Sequence, residues 1–85
     1  MAYALREEPI DTARRHVRQA ECLVAYQREL VQRLRGGGHI GLAAQADAVL
    51  GNLKTALALA REDFANLKRA AGPFERQLAR RASAG

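Results

Sequence analysis

Apolar residues recur at alternating intervals of three and four along most of this chain, and three consecutive glycines interrupt the pattern once. This spacing places apolar side chains on one face of an α-helix and is typical of helices that pack lengthwise against each other. The repeat consists of Ala13, Val17, Ala20, Val24, Val31 and Leu34 before the glycines, and of Ala46, Leu50, Leu53, Leu57, Ala60, Phe64, Leu67 and Ala71 after them. The pattern predicts an all-α protein with two long helices.

Gly36, Gly37 and Gly38 mark the point where the chain reverses. Three glycines in a row lose much conformational entropy inside a helix, and they readily adopt the positive φ of a helix C-terminus. We therefore predict an antiparallel, coiled-coil-like hairpin over residues 11–71, with helix 1 at about 12–35, a turn at 36–41 and helix 2 at about 42–71.

The ends of the hairpin are predicted from capping and helix-breaking residues. A flexible lead-in over residues 1–10 is expected to end at Pro9, after which Asp11 or Thr12 would cap helix 1. Gly72 and Pro73 should end helix 2, since proline lacks the amide that continues a helix. Residues 72–85 then form a basic tail, for which disorder is favoured over one or two further helical turns.

Reversal at the glycines pairs residues whose numbers sum to about 80, for example Val24 with Leu57 and Ala20 with Ala60. Large residues mostly meet small ones, as close packing of helices requires. The same register brings charged residues together along one edge, in the pairs Arg35 with Asp47, Glu21 with Arg61, Arg28 with Lys54, and Arg14 with Lys68. Two of these pairs attract and two repel.

The opposite edge is apolar, with Leu23, Leu30, Val49, Ala56 and Ala70. A lone hairpin would leave this surface in water, whereas two hairpins in a four-helix bundle would cover it. We therefore expect a homo-oligomer, most simply a homodimer. The residues predicted to drive self-association are Leu23, Val24, Leu30, Val31, Val49, Leu50, Leu53, Leu57 and Phe64.

The charge balance raises a different possibility for binding. Fourteen Lys and Arg against nine Asp and Glu give a net charge of +5, which favours anionic partners such as an acidic protein or nucleic acid. The charges are spread without interleaved aromatics, so moderate basicity with no specific role is the favoured interpretation. The candidate anion-binding residues are Arg14, Arg28, Lys54, Lys68, Arg76, Arg80 and Arg81.

No catalytic, cofactor or metal site is predicted. Of the residues that could suggest one, Cys22 falls outside the helical seam and His39 falls in the turn, so they would not converge. A single cysteine builds no internal disulfide and suits a reducing cytoplasm, and no signal-peptide core or membrane span is recognisable. Gln27 is the polar residue on the seam; it either lies at the periphery in solvent or fixes the helix register, and neither alternative is favoured.

A set of these residues resembles a group of small uncharacterised helical-hairpin proteins of alphaproteobacteria, which have no assigned function. The resemblance covers roughly residues 13–67 and is carried by Arg15, His16, Val17, Glu21, Val24, Gln27, Leu30, Val31, Leu34, Gly38, His39, Val49, Leu50, Leu53 and Leu57. It implies a two-helix hairpin in a bacterial cytoplasm. After His39 the chain differs from the group, whose members have Asp or Ser followed by Thr as a helix cap.

Two functions from different classes follow. The first is a non-enzymatic, self-associating interaction or structural protein. The alternative is a small regulatory module that binds nucleic acid through the basic edge and the tail. An enzyme is not expected, because a chain of 85 residues has little room for an enclosed active site.

Overall fold

Two antiparallel α-helices form the protein: α1 spans Pro9–Gly36 and α2 spans Ile40–Ala84. The structure is a computed structural model, which describes the backbone of residues 8–84 and the side chains of residues 8–70. Within residues 8–84 there is no strand, so the predicted all-α hairpin is confirmed. The molecule measures 67 × 31 × 16 Å, and its long dimension matches α2, since 45 helical residues rise about 67 Å.

Helix α1 begins earlier than predicted. Glu8 is its N-cap residue, with extended backbone angles (φ −69°, ψ 150°), and Pro9 occupies the first turn. The amides of Asp11 and Thr12 donate to the Glu8 carbonyl at 3.0 and 3.1 Å. The prediction that Asp11 or Thr12 caps the helix is therefore wrong, because proline is tolerated at the first helical position, where an amide has no intrahelical partner. Pro9 and Ile10 belong to α1, and residues 1–7 of the predicted lead-in lie outside the described residues.

The turn occupies residues 37–39, inside the predicted range of 36–41. Gly37 is the C-cap residue of α1, and Gly38 has a φ of +79°. The His39 amide donates to the Leu34 carbonyl at 2.9 Å, and the Gly38 amide donates to the Arg35 carbonyl at 3.1 Å. This pair of hydrogen bonds around a left-handed residue is the Schellman motif, which satisfies carbonyls that the helix end would otherwise leave unpaired.

Helix α2 passes through Gly72 and Pro73 and continues to Ala84, so the prediction that it ends near Ala71 is wrong. Proline removes one backbone hydrogen bond, but its φ is close to the helical value. Strong helix formers such as Ala, Arg, Gln and Leu dominate the sequence beyond it and favour continuation. By the register of the hairpin, residues 72–84 extend past the start of α1. The backbone of the predicted basic tail is thus helical through Ala84, and the expectation of disorder there is wrong.

The core is a narrow seam between the two helices. Val31 and Ala43 are each only 2% exposed and are its most buried members. The other buried residues are Ala13, Val24, Ala46, Leu50 and Leu57, with Val17, Ala20, Leu34 and Leu53 partly buried around the central cluster. Among the described side chains no polar or charged residue is buried. The 4-3 spacing thus predicted the seam, which extends one step further towards the turn, to Ala43.

Two interhelical ion pairs match the predicted charge pairing, whereas a third polar contact joins two residues that lie one heptad from their predicted partners. The Arg35 guanidinium lies 4.0 Å from the Asp47 carboxylate, and the Arg61 guanidinium lies 3.7 Å from the Glu21 carboxylate. The partly buried Gln27 amide donates to the Ala46 carbonyl at 2.9 Å. Of the two alternatives for Gln27, the structure supports the one in which its side chain connects the helices.

The turn gives a matched pair of variants. At Gly38, alanine would have open space but a positive φ, so Gly38→Ala should lower the free energy of unfolding by about 1 to 2 kcal/mol. At Gly36, alanine would also have open space, and the position is the last residue of α1. Gly36→Ala should therefore raise the free energy of unfolding by up to about 1 kcal/mol. Urea unfolding followed by circular dichroism measures both. Equal effects of the two substitutions would contradict the turn described here.

Candidate interaction surfaces

One edge of the hairpin exposes a row of large apolar side chains, which we call the apolar edge. Leu23, Leu42 and Val49 are 53%, 55% and 47% exposed, and Tyr26 and Leu59 are each 62% exposed. If the seven positions of the repeat are lettered a to g, with the buried Val24 and Leu57 at a, then Leu23, Leu42 and Val49 lie at g and Tyr26 and Leu59 at c. Positions g and c are three residues apart and are neighbours on the helix surface. With the partly buried Leu30 and the exposed Ala56, the apolar edge consists of Leu23, Tyr26, Leu30, Leu42, Val49, Ala56 and Leu59.

The hairpin itself already uses most of the residues predicted to drive self-association. Val24, Val31, Leu50 and Leu57 are buried in the seam. Leu53 and Phe64, also seam positions, and Leu30 at the margin are partly buried. Of the predicted set, Leu23 and Val49 alone are exposed. The surface open to another chain is therefore the outer margin of the stripe rather than its centre.

Sequence reasoning missed three members of the apolar edge: Tyr26, Leu42 and Leu59. Tyr26 follows Leu23 by three residues and Leu59 follows Ala56 by three, which places each one turn along the same side of its helix. Leu42 precedes Val49 by one heptad. Extending the helical wheel from the g positions to the adjacent c positions would have found Tyr26 and Leu59.

The opposite edge carries the charged e positions and is called the basic edge. It consists of Arg14, Glu21, Arg28 and Arg35 on α1 and Asp47, Lys54, Arg61 and Lys68 on α2, all exposed. Both carboxylates lie within 4.0 Å of an arginine on the other helix. The remaining four cations are the two like-charged pairs predicted from the register.

The two like-charged pairs differ in what surrounds them. Arg14 lies 3.5 Å from the Asp11 carboxylate, and both its guanidinium carbon and the Lys68 ammonium lie 5.5 Å from the centre of the Phe64 ring. A cation over an aromatic face is attracted by the ring quadrupole. Phe64 therefore offsets the repulsion that the sequence predicted for Arg14 and Lys68.

Arg28 and Lys54 have no such compensation. They line a groove of about 360 Å³ between the helices, together with Glu21, Val24, Ala25, Leu57, Ala58 and Arg61. Within residues 8–70 neither cation has a carboxylate partner or an aromatic ring beside it. Because Glu21 in the same groove pairs with Arg61, the groove carries net positive charge from Arg28 and Lys54. The remaining candidate anion-binding residues, Arg76, Arg80 and Arg81, lie outside the described side chains.

The residues considered for metal or redox chemistry do not form a site in the described part of the chain. Among those residues no group of three or more His, Cys, Asp and Glu side chains is placed to hold a metal ion. Cys22 is an exposed free thiol beside a shallow groove on the outer face of α1, with Leu23 and Tyr26 as its apolar neighbours. His39 is exposed in the turn, far along the hairpin from Cys22.

Comparison with known proteins adds no assignment. No protein-family model matches the sequence, and no curated protein or solved structure is detectably similar to it. The resemblance to alphaproteobacterial hairpin proteins stays a prediction. Within residues 8–84, neither helix has an apolar stretch long enough to cross a membrane.

The Phe64 cluster can be tested by a double-mutant cycle. Because Phe64→Leu keeps an apolar side chain of similar size, the cycle with Lys68→Gln isolates the contact between cation and ring, and we expect a coupling of about 0.5 to 1 kcal/mol. In the control cycle Arg69→Gln takes the place of Lys68→Gln, because the Arg69 guanidinium donates a hydrogen bond to the Asn66 side chain. Chemical unfolding of the four proteins in each cycle gives the couplings. A coupling at Lys68 no larger than that at Arg69 would refute the contact.

Proposed function

We propose that this protein is a non-enzymatic helical interaction protein whose hairpin pairs with a second copy through the apolar edge. The observation that carries the proposal is the row of five large apolar side chains, each about half exposed or more, along one side of the hairpin; a sixth, Ile40, lies apart from the row beside the turn. Contiguous apolar surface of this extent is typical of a protein interface. The pair would form a four-helix bundle.

The size of the exposed surface supports pairing. The chain exposes 6891 Å², whereas a compact monomer of its 9.3 kDa mass exposes about 5,000 Å². A standard interface covers about 800 Å² on each partner. A standard interface would therefore use about 12% of this surface.

Electrostatics supports the choice of edge. The seven residues of the apolar edge carry no charge, and Asp63 continues the row beyond Ala56, whereas the basic edge carries six cations and two carboxylates. In a two-fold dimer each patch meets its own copy, so the basic edge would face like charge while the apolar edge would face apolar surface. Pairing through the apolar edge therefore buries hydrophobic area without bringing like charges together. The basic edge stays open on both sides of the dimer.

A structural or scaffolding role follows from this arrangement. The hairpin has a thin core of its own, and the described side chains offer exposed grooves rather than an enclosed cavity. Its exposed thiol, Cys22, suits a reducing compartment such as the cytoplasm. In this proposal the assembled bundle presents two basic edges to other molecules.

The test is the oligomeric state of matched variants. Wild type should sediment as a dimer of twice 9.3 kDa at tens of micromolar, and Leu23→Glu with Val49→Glu should shift it to a monomer by placing four carboxylates in the interface. The control is Gln32→Glu with Ala48→Glu, which adds the same charge at exposed positions outside the apolar edge. Analytical ultracentrifugation measures all three.

We expect the wild type and the control variant to be dimers and the apolar-edge variant to be a monomer. A wild-type monomer at all concentrations would contradict self-association. A dimer that survives in the apolar-edge variant would show that another surface forms the interface.

A further inference from the structure

We infer that the groove between Arg28 and Lys54 is a binding site for a compact ligand that carries a dianionic phosphate group. This site lies on the basic edge, opposite the surface used by the proposed dimer, so it does not depend on self-association. The inference rests on the charge inside the groove, the charges on either side of it, and its walls.

The groove carries net positive charge, because the Glu21 carboxylate in its lining pairs with Arg61 and leaves Arg28 and Lys54 without an ion pair. Arg28 and Lys54 approach from different helices and line the same cleft, and within the described residues neither pairs with a carboxylate. Two cations that line one groove repel each other, and an anion bound there would be attracted to both. Arginine offers planar paired donors and lysine a mobile point charge, a combination suited to phosphate oxygens.

The charges on either side limit the length of the ligand. Towards the turn, one heptad away and a rise of about 10 Å, the basic edge carries the Asp47 carboxylate beside Arg35. In the other direction the Glu21 carboxylate lies beside Arg61, and this ion pair lines the end of the groove itself. A nucleic-acid strand running along the edge would meet both carboxylates. The positive charge without a counter-ion is therefore confined to one layer of the hairpin, which favours a single compact anion over an extended one.

The walls of the groove leave space for an organic group. Ala25 and Ala58 are exposed, and with Val24 and Leu57 they form the apolar part of the lining. The rest of the lining consists of the two cations and the ion pair of Glu21 with Arg61. The volume of about 360 Å³ exceeds what a phosphate group alone fills. A phosphate monoester with a small apolar substituent matches both halves of the site: two negative charges for two cations, and apolar surface against the alanines.

The probe for a test is phenyl phosphate, compared with benzenesulfonate, which has a similar shape but one negative charge. Isothermal titration calorimetry at constant ionic strength and pH 7.5 should show saturable binding of phenyl phosphate with one site per chain. Benzenesulfonate should bind at least tenfold more weakly. Phenyl phosphate affinity should also fall at pH 5, because a phosphate monoester loses its second negative charge near pH 6.

The protein variants separate a site from diffuse attraction. Arg28→Gln with Lys54→Gln should weaken phenyl phosphate binding at least tenfold. Arg18→Gln with Arg33→Gln removes the same charge from exposed positions outside the groove and should leave the affinity within about twofold, because screened charges act weakly at distance. Circular dichroism spectra confirm that both variants remain helical.

Three results would overturn the inference. The first is no saturable binding of phenyl phosphate to the wild type. The second is an equal loss of affinity in both double variants, which would show only diffuse attraction to a basic protein. The third is tight, salt-sensitive binding of a 20-nucleotide single strand with no binding of phenyl phosphate, which would favour nucleic acid as the ligand of the basic edge.

Discussion

The single seam between α1 and α2 is the contact on which the rest of this hairpin depends, because two helices share only one face. Its most buried members, Val31 and Ala43, retain 2% of their surface, and within the described part of the chain no side chain is enclosed more completely. A larger domain surrounds its core with several elements. Here the two helices alone enclose the seam, so it determines how they align more than it provides a deep interior.

That alignment determines the character of both edges. Once the buried positions of both helices face each other in the seam, the e positions must meet on one side and the g positions on the other. The ion pairs of Glu21 with Arg61 and Arg35 with Asp47 are exposed, and pairs of this kind contribute about 0 to 1 kcal/mol each. These ion pairs are a consequence of the helix register and contribute little energy to selecting it. The Gln27 amide, partly buried and bonded to the Ala46 carbonyl, is better placed to discriminate against a shifted alignment.

The parts of the fold that depend on helical periodicity could be predicted from the sequence. The 4-3 spacing identified the seam, and the three glycines located the reversal of the chain. The helix ends could not be predicted as well, because small differences in capping and backbone energy decide them. Helix α1 starts at Pro9, although capping by Asp11 or Thr12 was expected, and α2 continues through Pro73.

The candidate surfaces show the same division. The charge pairs across the basic edge followed from the register, but the role of Phe64 between Arg14 and Lys68 depends on ring position, which spacing does not specify. The sequence also grouped seam and margin residues into one self-associating stripe. Separating the buried Val24 and Leu57 from the exposed Leu23 and Val49 required the hairpin itself, because burial depends on which face the partner helix covers.

The most direct test of the account is the thermal unfolding of the wild-type protein at several concentrations. If a second copy completes the hairpin by covering the apolar edge, unfolding is coupled to dissociation, and the midpoint temperature must rise with protein concentration. Circular dichroism melts from about 1 μM to 1 mM should show a steady increase of several degrees. A midpoint that is independent of concentration over this range, with a cooperative transition, would show that the hairpin is stable alone and would contradict the central claim.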